Sequence, residues 1–263
     1  EAGTNDIDEQ GIKVRRTPNP MNDLRRGYGK AVAGADGVAI DEGLRRYMLG
    51  VYNYMALAIA GTGFVSMAVA SNPTLVASVA NTPLKWVLFA AIIGIGWFAP
   101  RVIFSGSKIA AHGLFWVYAA AWGLLIAPML FAFQMSGAAV EIYKAFFITA
   151  SVFGAMSLWG YTTKRDLSGW ASFLMMASIG LIVAIIVNAI FFKSGMASLV
   201  TSGLVVLIFS GVTAFETQMI KTLYTEGSAM NERSSIFGAF ALYGSFVTLF
   251  VHILNILGIM RSD

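Results

Sequence analysis

The sequence predicts an all-α integral membrane protein, a bundle of seven transmembrane helices, from three observations. Composition comes first: 57% of the 263 residues are hydrophobic and 12% are charged, with a mean hydropathy of +0.70, where soluble domains carry about 25% charge. Apolar runs of roughly 20 residues, the length that crosses a bilayer as helix, then recur from Tyr47 to Met260 between short polar links. Finally, the basic residues concentrate in alternate links, as they do when such links stay on one side of a membrane.

Residues 1–40 are polar, with only scattered apolar residues and no helical stripe. Alone they cannot bury enough surface to offset ordering entropy, so they read as a cytoplasmic tail preceding a transmembrane domain over residues 41–263. No apolar stretch follows the basic residues closely enough to make a secretory signal. The chain begins at Glu1 instead of Met, which is compatible with processing, trimming or an incomplete sequence.

Asp41 reads as an N-cap, with Glu42 in the first turn and span one over about Tyr47–Ala70. The link Ser71–Pro83, with two prolines and two asparagines, breaks helix; span two follows over Leu84–Phe104. Span three, Ile109–Phe133, is aromatic-rich and holds Pro128, tolerable where packed neighbours re-satisfy the backbone. Spans four to seven are about Val140–Tyr161, Trp170–Phe192, Ser198–Leu223 and Ser235–Met260. The links between them are short, so there is one bundle and no second soluble domain.

Placing the tail and links 2–3, 4–5 and 6–7 on one side collects all of the 18 Lys and Arg except Lys85, Lys144, Lys193 and Arg261. Basic links stay inside, so the N-terminus is expected in the cytoplasm and the C-terminus outside. The same flanking positions explain the net charge of +4 without nucleic acid. There is no cysteine, hence no disulfide or thiolate site, and no His or carboxylate spacing supplies a metal cage. No phosphate loop, nucleophile elbow or facing carboxylate pair suggests an enzyme. His112 and His252 differ in depth by on the order of 15 Å, too far to share a haem. No cofactor is expected.

Glu216, in the run Phe209–Lys221 (FSGVTAFETQMIK), is the one carboxylate well inside an apolar span. A charged group near a helix centre costs about 2.5–3.5 kcal/mol on insertion scales, so it needs a partner or a use. Two readings stand: a working site on an ion or proton path, or an acid near a helix end that reaches water or pairs with an Arg. Arg101, at the end of span two, is the candidate latch for it, or else an ordinary topology-setting charge. Lys164, Arg165 and Asp166 read as a solvated turn, and Gly61, Gly63, Gly94, Gly96, Gly154 and Gly180 as packing positions.

The run Phe147–Ser168 (FITASVFGAMSLWGYTTKRDLS), the end of span five (IGLIVAIIVNAIF) and FETQMIK occur in that order. They resemble the signatures of the Bax inhibitor family, also called the transmembrane Bax-inhibitor-motif family, and in particular its bacterial YccA-like members. The resemblance covers about Ile40 to Gly258. It implies a seven-helix bundle with a central seventh helix, sited in the bacterial inner membrane. It also implies a role in proton-sensitive calcium leak or in modulating the membrane protease FtsH; animal members are linked to cell-death suppression.

The family's sixth-helix aspartate is matched by Glu216, in Phe215-Glu216-Thr217-Gln218. The second aspartate, expected in the seventh helix, is replaced by Ser245, and the asparagine beyond it by Thr248, in Tyr243-Gly244-Ser245-Phe246-Val247-Thr248. Two close acids can share a proton and so respond to pH; an acid opposite a hydroxyl cannot. Ser245, Thr248, His252 and Asn255 nevertheless recur at three- and four-residue steps and share one helix face. That face serves interhelical hydrogen bonding or a hydrated path continuing from Glu216, with His252 able to change charge near neutral pH.

The candidate ion-path or pH-sensing residues are therefore Glu216, Ser245, His252, Arg101, Thr248 and Asn255, with Glu216 the one candidate cation contact. Two functions stand: a cation leak, for calcium or protons, with a degenerate pH-sensing site, or a non-transporting subunit or regulator. The second would bind a larger membrane complex such as FtsH through its N-terminal tail or helix faces.

Overall fold

The computed structural model describes the backbone of residues 20–262 and the side chains of residues 42–261. Residues 1–45 and 46–263 form separate compact units. In the first, the backbone is helical from Pro20, so Asp41 lies within a helix and does not start one. The reason is local: after Pro20, suited to a first helical turn, no proline removes a backbone donor until Pro73. The part of the expected tail before Pro20 lies outside the described residues.

The second unit is the bundle. Helix α1 runs Pro20–Ala70, and its apolar part, Glu42–Ala70, is the first span. The link after it is not a simple break, because Pro73–Ala80 forms a short helix, α2. Asn72 Oδ1 accepts from the N–H groups of Thr74 and Leu75, and Pro73 takes the first-turn position where its missing N–H costs nothing. The remaining helices are α3 Leu84–Ser105, α4 Lys108–Met135, α5 Ala139–Thr162, α6 Ala171–Val187, α7 Gly195–Thr222 and α8 Asn231–Ser262. A 3-10 turn, Ser168–Trp170, leads into α6, and a π turn, Asn188–Phe192, ends it. Seven of these segments are long and apolar enough to cross a membrane.

α8 is the central helix. It packs against α3, α4, α5 and α7, and 61% of its most apolar stretch is buried inside the protein, against 44% for α4 and 6% for the α6 span. Tyr243, Leu242, Leu249 and Leu254 on α8 are fully buried. Large apolar residues on the outer helices, such as Phe64, Trp97, Phe147 and Phe191, are exposed, as they are where lipid is the solvent.

The ends of the bundle are tied by backbone carbonyls at helix termini. Arg233, in the first turn of α8, donates through Nη1 to the carbonyls of Ile103 and Gly106 at 2.8 and 2.7 Å, caring for the C-terminal end of α3, where a cation is favoured. Lys108 pairs with Glu232 at the same end. Lys221 reaches the Tyr161 carbonyl there, at 3.1 Å. Links 2–3, 4–5 and 6–7 thus share one end of the bundle, as the charge pattern predicts.

Candidate functional site

The FETQMIK run is the hub of α7, because four of its polar side chains point to different neighbours. Glu216 faces α8, where Ser245 Oγ donates to its Oε2 at 2.7 Å. Thr217 faces α5: its hydroxyl donates to the Thr213 carbonyl at 2.8 Å, so Ser157 must supply the hydrogen in the 2.9 Å Ser157–Thr217 contact. Tyr52 of α1 completes that relay with a 2.6 Å bond to Ser157. Gln218 grips the 4–5 link from both sides, its Nε2 donating to the Arg165 carbonyl and its Oε1 accepting from the Leu167 N–H, each at 2.8 Å. Lys221 closes the run over the ring of Tyr161, 4.9 Å from its centroid.

Close approach of α5 and α7 makes these contacts possible. A Cβ on Gly160 would stand 2.2 Å from the Ala214 carbonyl oxygen, so only glycine allows the two helices to meet there. The glycines singled out from sequence play a smaller part: Gly63, Gly94, Gly96, Gly154 and Gly180 have open space where a Cβ would go, and of that set Gly61 alone meets a neighbour, Trp116. Gly residues on lipid-facing surfaces look the same in sequence as those at helix crossings.

The candidate residues separate into three places. Glu216 and Ser245 form the first. Ser245 is buried, whereas Glu216 keeps partial exposure and its Oε1 has no hydrogen-bond partner among the described residues. His252 and Asn255 form the second, further along α8: Asn255 Nδ2 donates to Ser198 and Ser202 at 2.8 and 2.9 Å, and His252 Nδ1 lies 3.0 Å from Ser202 Oγ. From Ser245 to His252 is about 10 Å along the helix. Thr248 lies between them, half-buried, and its hydroxyl has no partner among the described residues.

Arg101 is the third place, and it corrects the latch reading. Its side chain is exposed, and it stands on α3, which packs on α2, α4 and α8 but not on α7. The two residues stand on helices that do not touch, so Arg101 is not placed to latch Glu216. The other histidine, His112, is bound to Tyr54 Oη at 2.6 Å between α4 and α1. Among the described residues no group of three or more His, Cys, Asp or Glu is placed to hold a metal.

Some site neighbours escape sequence reading. Tyr243 is fully buried and shares a 2.6 Å bond with Thr62, whose hydroxyl donates to the Ala119 carbonyl at 3.0 Å. Ser66 similarly donates to the Gly123 carbonyl at 3.0 Å. The available signal was the four-residue spacing of Thr62 with Ser66 and of Thr213 with Thr217, which sets two hydroxyls on one helix face. Asn188, from the span-five motif, closes the 5–6 link by exchanging hydrogen bonds of 3.3 and 3.2 Å with the Ser194 backbone. The turn Lys164, Arg165 and Asp166 is solvent-exposed as expected. There the Asp166 carboxylate accepts from the Ser168 N–H and hydroxyl, both at 2.9 Å, and these bonds hold its pKa below the ordinary value.

Comparison with known sequences covers nearly all of the bundle. A family model described as "Inhibitor of apoptosis-promoting Bax1" matches residues 44–262. A protein of Rickettsia prowazekii is 39% identical over 84% of this chain and 93% of its own length. One from Caulobacter vibrioides is 37% identical over 90% and 98% respectively. The Escherichia coli inner membrane protein YbhL is 34% identical over 83% of this chain and 94% of its own length.

Proposed function

Because this chain belongs to the Bax inhibitor family of multi-pass membrane proteins, we propose that it conducts a slow leak of cations, calcium or protons, past Glu216. One observation carries this reading: Glu216 has one carboxylate oxygen tied to Ser245 while the other has no hydrogen-bond partner among the described residues. An acid kept only for packing would have both oxygens paired, since an unpaired charge in a membrane interior is costly. The free oxygen is where a passing cation or water would be met. Thr248, on the same face of α8 as Ser245, offers a second oxygen without a partner among the described residues, and the Ser202–His252–Asn255 group continues it.

This activity is non-enzymatic, and its site is degenerate relative to a paired-acid sensor because Ser245 supplies a hydroxyl where the family has a second acid. In the topology we favour, the basic end of the bundle faces the cytoplasm of a bacterial inner membrane. The test is calcium flux into dye-loaded proteoliposomes. Glu216→Gln, which removes the charge at nearly constant shape, should abolish the flux and leave the protein folded; unchanged flux would exclude a path through Glu216.

Ser245, a hydroxyl where the family has its second acid, favours a second reading, in which the protein does not transport but binds a larger membrane complex such as the FtsH protease. Removing residues 1–40 should then weaken copurification of that complex from mild detergent. A folded, reconstituted protein without any cation flux would favour this reading.

A further inference from the structure

We propose that the groove between α5, α6 and α7 is a binding site for one anionic phospholipid, with an acyl chain in the groove and the headgroup at the 4–5 link. A cavity of about 390 Å³ lies there, lined by Met156, Trp159, Leu167, Trp170, Gly211 and Phe215 among others. Its size falls within the roughly 300–1,000 Å³ of small-molecule sites, yet none of these side chains carries a charge. Of its lining residues Trp159 and Trp170, 41% and 57% exposed, are the ones at the surface and so mark its mouth. Since the helices forming it span the membrane, its occupant comes from the bilayer; a dry apolar groove facing lipid is filled by a chain and not by water.

Two features select the headgroup. Tryptophan favours the boundary between hydrocarbon and headgroups, so the pair at the mouth puts the 4–5 link at headgroup level. That link carries Lys164 and Arg165, both exposed, whose side-chain cations have no partner among the described residues. Its one acid, Asp166, is already occupied by Ser168. Gln218 holds the backbone at Arg165 and Leu167, and Leu167 is itself part of the cavity wall. The cations and the groove are thereby fixed to one another, which a loose basic loop would not achieve. A phosphodiester with an additional negative charge, as in phosphatidylglycerol, fits this arrangement better than a zwitterion.

The full chain in mild detergent, titrated separately with dioleoylphosphatidylglycerol, dioleoylphosphatidylcholine and inorganic phosphate, tests the proposal by native mass spectrometry. We expect one tightly held phosphatidylglycerol, preferred about fivefold or more over phosphatidylcholine, each cation contributing roughly a fivefold factor. Joint Lys164→Glu and Arg165→Glu substitution, in an exposed link, should erase that preference. Gly211→Leu should displace both lipids, because a Cβ there already stands 3.3 Å from Leu174 Cδ2 and a longer side chain fills the groove. Equal binding of the two lipids, retained preference in the charge-reversed protein, or displacement of phosphatidylglycerol by inorganic phosphate would each overturn it. If the Gly211 variant does not fold, the charge reversal alone decides.

Discussion

Ser245 Oγ stands 2.7 Å from Glu216 Oε2, the donor on α8 and the acceptor on α7. This bond joins α7 and α8, which pack closely on one another, at the one acid in their apolar interior among the described residues. Ser245→Ala would leave the carboxylate without its protein donor, at an expected cost of about 1–2 kcal/mol. In a Glu216→Gln background the same substitution should cost less, since an amide tolerates the loss better than a carboxylate. Thermal unfolding of the single and double variants in detergent measures the coupling, and a value of zero would show that the bond contributes nothing to stability.

Ser245→Asp tests the missing partner directly. Two acids at this short separation would hold one proton between them, so their combined charge would change with pH over a wider range than that of a single acid. Calcium flux in the variant should therefore vary more steeply with pH between about pH 6 and 8 than flux in the unmodified protein. Steep pH dependence in the unmodified protein would show that a lone glutamate suffices.

Gly160→Ala should destabilise the bundle by about 1–3 kcal/mol, because its Cβ would lie 2.2 Å from the Ala214 carbonyl and force α5 and α7 apart. Gly154→Ala, on the same helix but with nothing near its Cβ, should be neutral or stabilise by up to about 1 kcal/mol. Thermal midpoints of the pair separate crossing geometry from helix propensity. Similar losses in both would show that the α5–α7 approach is not what requires glycine at position 160.

Gln218→Ala removes two hydrogen bonds that hold the 4–5 link. Opening of that link should become roughly thirtyfold more frequent, at about 1 kcal/mol net for each of the two bonds. Limited trypsin digestion reads this at Lys164 and Arg165, which are exposed yet held by their backbone. Cleavage should accelerate in the variant while the thermal midpoint moves little; an unchanged rate would mean that Gln218 does not restrain the link.

The sequence by itself determined the number, order and approximate limits of the spans, because burial in lipid demands long apolar runs whatever the helices pack against. It also determined which links share an end, since charge distribution follows the membrane and not the tertiary contacts. Glu216 and Ser245 were legible as partners through the resemblance to the Bax inhibitor family, which has an acid at each of the two positions. Tertiary structure decided what depth could not. Arg101 and Glu216, which the sequence places at comparable depth, stand on helices that do not touch, and Gly160 is a crossing point while Gly154 faces outward. Lipid and helix are equally apolar neighbours, so hydropathy is blind to which way around its axis a membrane helix is turned. That rotation is set by small residues, hydroxyl pairs such as Thr62 with Tyr243, and the clamp from Gln218, each of which has meaning only when the opposing helix is in place.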